Sequence, residues 1–193
     1  MYAPTLDDVR FHRTLQELDE KTAAEVKAQG CTKPGCEGVL HSARYRRKPR
    51  GMAAALNGSE CWRQSFCCAK DGCRGRVRPA SLIFLGRKVY LAVVVTVVTA
   101  MRCGATPVRM RRLKEWVGVS RQTVLRWQRW WRELLPKMPF WRVACGTFSS
   151  PVDTSALPLS LLERFTGKAS ERVLDLLRLL QPLTGTQGST QAM

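Results

Sequence analysis

One octapeptide pattern occurs twice. Cys31-Thr32-Lys33-Pro34-Gly35-Cys36-Glu37-Gly38 and Cys68-Ala69-Lys70-Asp71-Gly72-Cys73-Arg74-Gly75 both read C-x-K-x-G-C-x-G. Glycine before the second cysteine permits a sharp turn, so that backbone amides can point at sulfur. Two such knuckles supply four thiolates, the number that a tetrahedral structural zinc site takes. Four residues between paired cysteines is at the long end of the usual ligand spacing. The 31 residues between the knuckles have room for a hairpin and a loop. The repeat also fixes register, because Cys68 rather than Cys67 matches Cys31. Cys31, Cys36, Cys68 and Cys73 are therefore the expected ligands of one structural Zn2+. The rival ligands are Cys67, Cys61 and His41. Cys61 and Cys67 flank Trp62 and Phe66 in strand-like alternation, which favours core packing. His41 reads as a surface residue beside Ser42 and Arg44. Cys103 and Cys145 have no neighbour at ligand spacing and read as structural thiols. A four-thiolate site leaves no open coordination position, so no catalytic metal is expected.

Charge is distributed unevenly. The 193 residues carry a formal net charge of +17. Residues 1–39 hold 5 basic and 7 acidic side chains, residues 40–142 hold 23 and 4, and residues 143–193 hold 4 and 4. The excess thus lies wholly in the middle of the chain. Eighteen of those 23 basic residues are arginines, whose planar fork suits phosphate and guanine edges. Genome-wide composition bias would not spare both ends, so an acidic partner is expected: nucleic acid first, an anionic membrane second. Arg44-Tyr45-Arg46-Arg47-Lys48-Pro49-Arg50 is either a track for phosphates through Arg44, Arg46, Arg47 and Arg50 or a solvated basic loop. Hydrophobic residues make up 45% of the chain, too many for a disordered basic tail. No run of 18 apolar residues occurs, and Met1-Tyr2-Ala3-Pro4 opens neither a basic flank nor an apolar signal core. No membrane partner is expected, and the expected location is cytoplasmic, associated with the nucleoid.

Five stretches follow from the pattern. Residues 1–30 hold an acidic helix over 5–29, with Leu6, Val9, Leu15, Leu18 and Val26 at rough helical spacing and Gly30 to close it. It is expected to serve as a collar or a partner contact. Residues 31–80 form the small zinc ribbon. Residues 81–135 form a three-helix core. Residues 136–157, opening with Pro136 and Pro139, read as a linker. Residues 158–193 form a C-terminal helical appendage and a flexible tail from Gly185. Leu159, Leu162, Leu174, Leu177 and Leu180 give segment 158–180 an apolar face that needs cover, and dimerisation through it is an expected use. The first helix of the three-helix core is expected over Val89–Met101, although β-branching there also favours a strand.

The strongest helical signal follows. Thr106-Pro107 reads as a cap with proline at the first position. Leu113, Trp116 and Val117 face inward, Gly118 breaks the helix, Val119 plugs the turn, and Ser120 caps a second helix from Arg121 to about Leu135. This is the shape of a helix-turn-helix. On a 100° wheel, Thr123, Val124, Trp130, Trp131 and Leu134 fall within about 60° of Trp127 and form the buried stripe. Three indoles on one stripe read as core rather than as a stacking platform. Arg121, Gln122, Leu125, Arg126, Arg129, Arg132 and Glu133 take the other face. Arg121, Gln122, Arg126 and Arg129 are the expected readers of bases. Leu125 either meets a thymine methyl or packs on a neighbouring element.

The two knuckles, the stretch Arg76 to Tyr90, and Gly118-Val119-Ser120 through Trp131 together resemble the N-terminal DNA-binding region of bacterial insertion-sequence transposases. They also resemble small zinc-ribbon proteins encoded beside such elements. The likeness covers residues 31–135 and implies a grip on the element's terminal sequences. The chain departs from a complete transposase, which needs a carboxylate triad on an RNase H-like fold. After the second helix only Glu133, Asp153, Glu163, Glu171 and Asp175 remain, with no strand-rich region to arrange them. Serine and tyrosine recombinases fail as well: Tyr2, Tyr45 and Tyr90 all come early. No phosphate loop or HExxH occurs. The expected protein is mainly α with a small zinc ribbon. It binds duplex DNA without enzymatic activity, as a mobile-element accessory factor or transcriptional regulator. A transposase or other mobile-element protein is a further expected partner. Alternatives are an RNA-binding or ribonucleoprotein subunit, and an adaptor docking an acidic protein.

Overall fold

The computed structural model describes residues 8–47, 62–85, 89–90, 98, 104 and 106–185. The architecture is mainly helical, with small antiparallel sheets near the N-terminal half.

Helix α1 (Val9–Gln29) starts where the Asp8 carboxylate accepts from the Arg10 and Phe11 amides at 2.9 and 3.4 Å. It ends at Gly30, whose φ of 77° suits glycine alone at little cost. Its buried stripe runs Phe11, Leu15, Asp19, Ala23. This differs from the expected stripe: Val9 is exposed, Leu18 and Val26 are half-buried, and Leu6 lies outside the described residues. A four-residue step sets the face, and it places an acid among the apolar groups.

Two cores result. The smaller one joins Ala23 of α1 to Leu40, Phe66, Cys68 and Val77. These come from β1 (Leu40–Ser42), β4 (Phe66–Cys68) and β5 (Arg76–Val77), ordered β1-β4-β5 and antiparallel. Strands β2 (Tyr45–Arg46) and β3 (Trp62–Arg63) pair beyond them, with Tyr45 opposite Arg63 and Arg46 opposite Trp62. The Ala43 amide donates to the Ser65 carbonyl at 2.8 Å, so β2–β3 prolongs the β1–β4 hairpin after a bend. Strand β6 (Phe84–Leu85) pairs with β7 (Val89–Tyr90). The expected helix over Val89–Met101 therefore starts as strand, where β-branching wins. Val98 is helical and buried, and the other residues of that segment lie outside the described residues.

The larger core is helical. It joins Phe11 and Leu15 of α1 to α2 (Pro107–Val117), α3 (Arg121–Arg129), α4 (Pro139–Cys145), α5 (Leu159–Leu162) and α6 (Ala169–Leu180). Two sequence expectations are corrected here. Residues 136–157 are not a bare linker: a 3₁₀ turn (Leu135–Lys137), α4 and a second 3₁₀ turn (Thr154–Ala156) lie in them, and Trp141, Ala144 and Leu157 are buried. Pro139 starts α4 at its first turn, where the missing N–H costs nothing. Nor is the C-terminal segment an appendage. Leu161, Leu162, Val173, Leu176, Leu177 and Leu180 share one buried cluster with Val124, Trp127 and Trp131. The leucine face of 158–180 is thus covered by the chain's own body, which removes the reason given for dimerisation through it. Gly185 is buried too, against Ala80 and Arg78. The rest of the tail lies outside the described residues.

A buried polar network ties the ends together. Ser81 Oγ donates to Asp19, and the Leu82 amide donates to the same carboxylate at 2.6 Å. Ser81 Oγ accepts from the Ile83 and Phe84 amides. The Ser81 amide donates to Thr184 Oγ1 at 2.7 Å, and Arg63 donates to the Pro79 and Thr184 carbonyls at 2.6 and 3.0 Å. Burial raises Asp19 above its ordinary value, against the pull of Ser81, Leu82 and Arg63. These bonds offset the desolvation that isolated polar groups would suffer.

Candidate metal centre and basic helix

The four knuckle cysteines converge. Their sulfurs all lie within 4.8 Å of one another, with Cys31–Cys73 at 3.7 Å and Cys36–Cys68 at 3.6 Å. Each close pair takes one sulfur from each knuckle, so neither octapeptide makes the cluster alone.

The sequence repeat is also a repeat of backbone bonds. The Cys31 amide donates to the Gly38 carbonyl at 3.0 Å, and the Cys68 amide to the Gly75 carbonyl at 2.8 Å. The Cys36 amide donates to the Lys33 carbonyl, and the Cys73 amide to the Lys70 carbonyl. Gly35 and Gly72 take φ of 71° and 77°, the left-handed conformation that closes each turn. The last glycine of each octapeptide has a different task. A Cβ on Gly38 would collide with Cys68 Sγ, and one on Gly75 would stand 3.3 Å from Cys73 Sγ. Lys33 crosses between knuckles, its Nζ donating to the Cys73 carbonyl at 2.8 Å. Sequence reasoning singled out neither Gly38 and Gly75 nor Lys33, although all three belong to the repeated pattern.

Three of the clustered thiols are shifted, and in different directions. Cys73 is lowered to about 7, first by the Gly75 amide and then by hydrogen bonding from Cys36. The largest single influence on Cys68, the Lys70 amide, also lowers it. Desolvation and the three neighbouring sulfurs outweigh that amide and push Cys68 up to about 12. Cys31 is raised as well, the Lys33 amide being outweighed by burial and by Cys36 and Cys73. The first proton leaves readily and the last resists, because anions accumulate in one small volume. A cation at the centre reverses that cost. The donor set passes a simple test of fit. Metal–sulfur bonds of about 2.3 Å at tetrahedral angles put sulfurs about 3.8 Å apart, close to the pairs observed. The four cysteines can therefore bind one metal ion.

The rival ligands stand apart. Cys67 is half-exposed between buried Phe66 and Cys68, so the pleat sends its side chain to the opposite face. It is not in the core as expected. His41 is exposed in register with Cys67. Cys145 packs half-buried on the helical core, and burial raises its thiol. Cys61 and Cys103 lie outside the described residues.

Helices α2 and α3 lie where the sequence predicts helices, and the segment after α3 departs from the expected one. Thr106 Oγ1 accepts from the Arg109 amide at 3.4 Å, and Pro107 stands at the first position of α2. Met110 and Leu113 are buried, while the side chains of Trp116 and Val117 are outside the description. Gly118 takes φ 64° and returns its amide to Lys114 at 2.9 Å. Val119 is buried, and Ser120 Oγ accepts from the Thr123 amide at 3.3 Å to open α3. Val124, Trp127 and Trp131 are buried, whereas Arg121, Gln122, Leu125, Arg126, Arg129, Arg132 and Glu133 are exposed. Arg129 Nε pairs with Glu133 at 2.8 Å on the surface, a contact worth little there.

The departure is a π turn over Trp130–Leu134. Its wider winding inserts the equivalent of one residue. Leu134, expected in the stripe, is 47% exposed, and Leu135 takes its place at 0%. Trp130 is half-buried and meets Trp131 edge-on at 5.0 Å.

On the hairpin, Arg44 and Arg46 are exposed and Arg47 is half-buried. The Arg44 guanidinium stands 5.0 Å over Trp62, and that of Arg47 stands 5.3 Å over Tyr45. Arg50 lies outside the described residues. Among the described residues, no helix is long and apolar enough to cross a membrane. Comparison of the chain with known protein families, curated proteins and solved structures found no match.

Proposed function

We propose that the protein is a non-enzymatic, zinc-stabilised binder of duplex DNA. In this reading Cys31, Cys36, Cys68 and Cys73 hold one structural Zn2+ in a small ribbon. Four soft thiolates at near-tetrahedral spacing favour zinc over the oxygen-seeking cations. Helices α2 and α3 serve as a helix-turn-helix, and α3 enters the major groove.

The observation that carries the DNA reading is the division of α3. Arg121, Gln122, Leu125, Arg126 and Arg129 lie exposed, opposite buried Val124, Trp127 and Trp131. No acidic residue lies within α3 itself. Arginine and glutamine at the start of such a helix can make paired hydrogen bonds to guanine and adenine, and Leu125 can meet a thymine methyl. Arg44, Arg46, Arg47 and Arg50 take phosphates. The resemblance to transposase N-termini supports a setting beside a mobile element, as accessory factor or regulator.

Selection of preferred duplex sites, repeated with Gln122→Ala and Arg126→Ala, tests the reading. Each substitution should cost about 1–3 kcal/mol on the preferred site and flatten its preference. Arg46→Ala should weaken all sequences alike and make the salt slope shallower by about one unit. If both α3 variants keep the wild-type preference, α3 does not read bases. If structured RNA outcompetes every duplex, the partner is RNA.

A further inference from the structure

The β2–β3 ribbon carries a tryptophan on the wrong side for a core residue. Trp62 is 39% exposed, while its neighbour Arg63 is 4% exposed and anchored in the polar network. Alternation along a strand sends adjacent side chains to opposite faces. With Arg63 and Tyr45 on one face, Trp62 and its cross-strand partner Arg46 occupy the other. Both Trp62 and Arg46 are exposed, so that face of the ribbon meets solvent. The Arg44 guanidinium lies 5.0 Å over the indole. An indole is thus presented between two exposed arginines.

The surroundings are strongly basic. The described residues 40–47 and 62–78 hold eight arginines and lysines and one acid, Asp71. Trp62 also lines a shallow surface depression of about 20 Å³, together with Gln16, Glu20 and Gln64. The Gln16 amide donates to Glu20 at 2.8 Å, and Gln64 beside them carries an amide of the kind that hydrogen-bonds base edges. Glu20 is negative and repels phosphate, so any phosphates should lie on the Arg44 and Arg46 side.

A flat aromatic face, flanking guanidinium groups and a nearby edge-reading amide fit one chemistry. An unpaired base stacks on the indole while its phosphates meet arginine. A duplex cannot use the indole in this way, because its bases are already stacked on each other. An acidic peptide would engage the arginines but would leave the indole face without a planar partner.

We propose that the β2–β3 ribbon is a second nucleic-acid site that shares its arginines with the duplex contact: Trp62 stacks an unpaired base of single-stranded DNA, and Arg44 and Arg46 bind the adjacent phosphates. Only the choice of DNA over RNA rests on the duplex-DNA reading above. The site itself does not depend on α3.

The test measures anisotropy of a dye-labelled oligothymidine of about 12 nucleotides, long enough for typical single-strand sites. An abasic oligomer of the same length, a duplex and an oligouridine serve as the other arms. Stacking worth about 1–3 kcal/mol per base corresponds to about 5- to 150-fold in affinity. Trp62→Ala should weaken oligothymidine by a factor in that range and leave the abasic oligomer unchanged. Arg46→Ala should weaken both oligomers alike. Arg126→Ala should weaken the duplex and leave oligothymidine unchanged, which separates this site from α3. Oligothymidine should quench tryptophan emission in the wild type and much less in Trp62→Phe, a variant that keeps an aromatic ring in place. Wild-type oligothymidine affinity in Trp62→Ala, or an equal loss on the abasic oligomer, overturns stacking. Loss of oligothymidine binding in Arg126→Ala overturns the second site. Markedly tighter oligouridine binding overturns the choice of DNA.

Discussion

The Cys31 and Cys73 sulfurs stand 3.7 Å apart although 42 positions separate them in the chain. Cys36 and Cys68 make the matching pair. Because each pair spans both knuckles, loss of one thiol should undo the whole site. The purified protein should carry one zinc per chain, lost in Cys36→Ser and Cys73→Ser and kept in Cys67→Ser. Metal analysis on folded samples checks this. Zinc retained by Cys73→Ser at full stoichiometry would show the wrong ligand set.

Gly38 and Gly35 should respond differently to alanine. At Gly35, a Cβ meets nothing within 4 Å, and only its φ of 71° is costly, at about 1 kcal/mol. At Gly38 a Cβ collides with the Cys68 sulfur itself. Gly38→Ala should therefore lose metal to a competing chelator at far lower chelator concentration than Gly35→Ala. Equal retention would mean the sulfur shifts freely.

Asp19 should leave a pH signature. Burial raises its folded pKa above the ordinary 3.8. The folded state then holds the proton at pH values where the unfolded chain has released it. Its contribution to stability is full below about 3.8 and is lost as pH rises through the folded value. Asp19→Asn mimics the neutral acid, so its stability relative to wild type should rise from about pH 4 towards neutrality. Melting temperatures of both proteins across that range test the sign. A relative stability of Asp19→Asn that falls over that interval would contradict the raised value.

The π turn makes opposite predictions for two adjacent leucines. Leu135 is fully buried and Leu134 is 47% exposed. Leu135→Ala should cost about 2–5 kcal/mol. Leu134→Ala should stay within about 0.5 kcal/mol. A regular helix would predict the reverse. Denaturant midpoints at constant slope decide between them.

These contrasts mark what could be read from sequence and what could not. The knuckles were legible because their chemistry is local and repeated. So were the caps at Thr106 and Ser120 and the break at Gly118, since each acts within four residues. The exposed face of α3 followed from periodicity alone as far as Arg129. Beyond that, a 100° wheel could not foresee a turn of different pitch. Residues 136–157 looked like a linker because Pro136 and Pro139 suggested one. Their burial depends on Trp141 and Leu157 meeting partners elsewhere in the helical cluster. The Asp19–Ser81 bond spans 62 positions, and nothing near either residue announces it. Cys67 was misread because apolarity predicts burial only on average, while the pleat decides which neighbour turns inward.

The π turn has one more consequence, for tolerance of length change. A wide turn is a helix holding one residue more than its regular pitch needs. Removing Glu133 would let the segment rewind as regular α-helix, and the residue now numbered Leu135 would fall seven places after Trp127, back on the buried stripe. A deletion between Val124 and Trp127 would instead rotate Trp127 and Trp131 away from Val124. The chain can therefore be shortened by one residue within 132–134 with Trp127, Trp131 and Leu135 kept on one stripe.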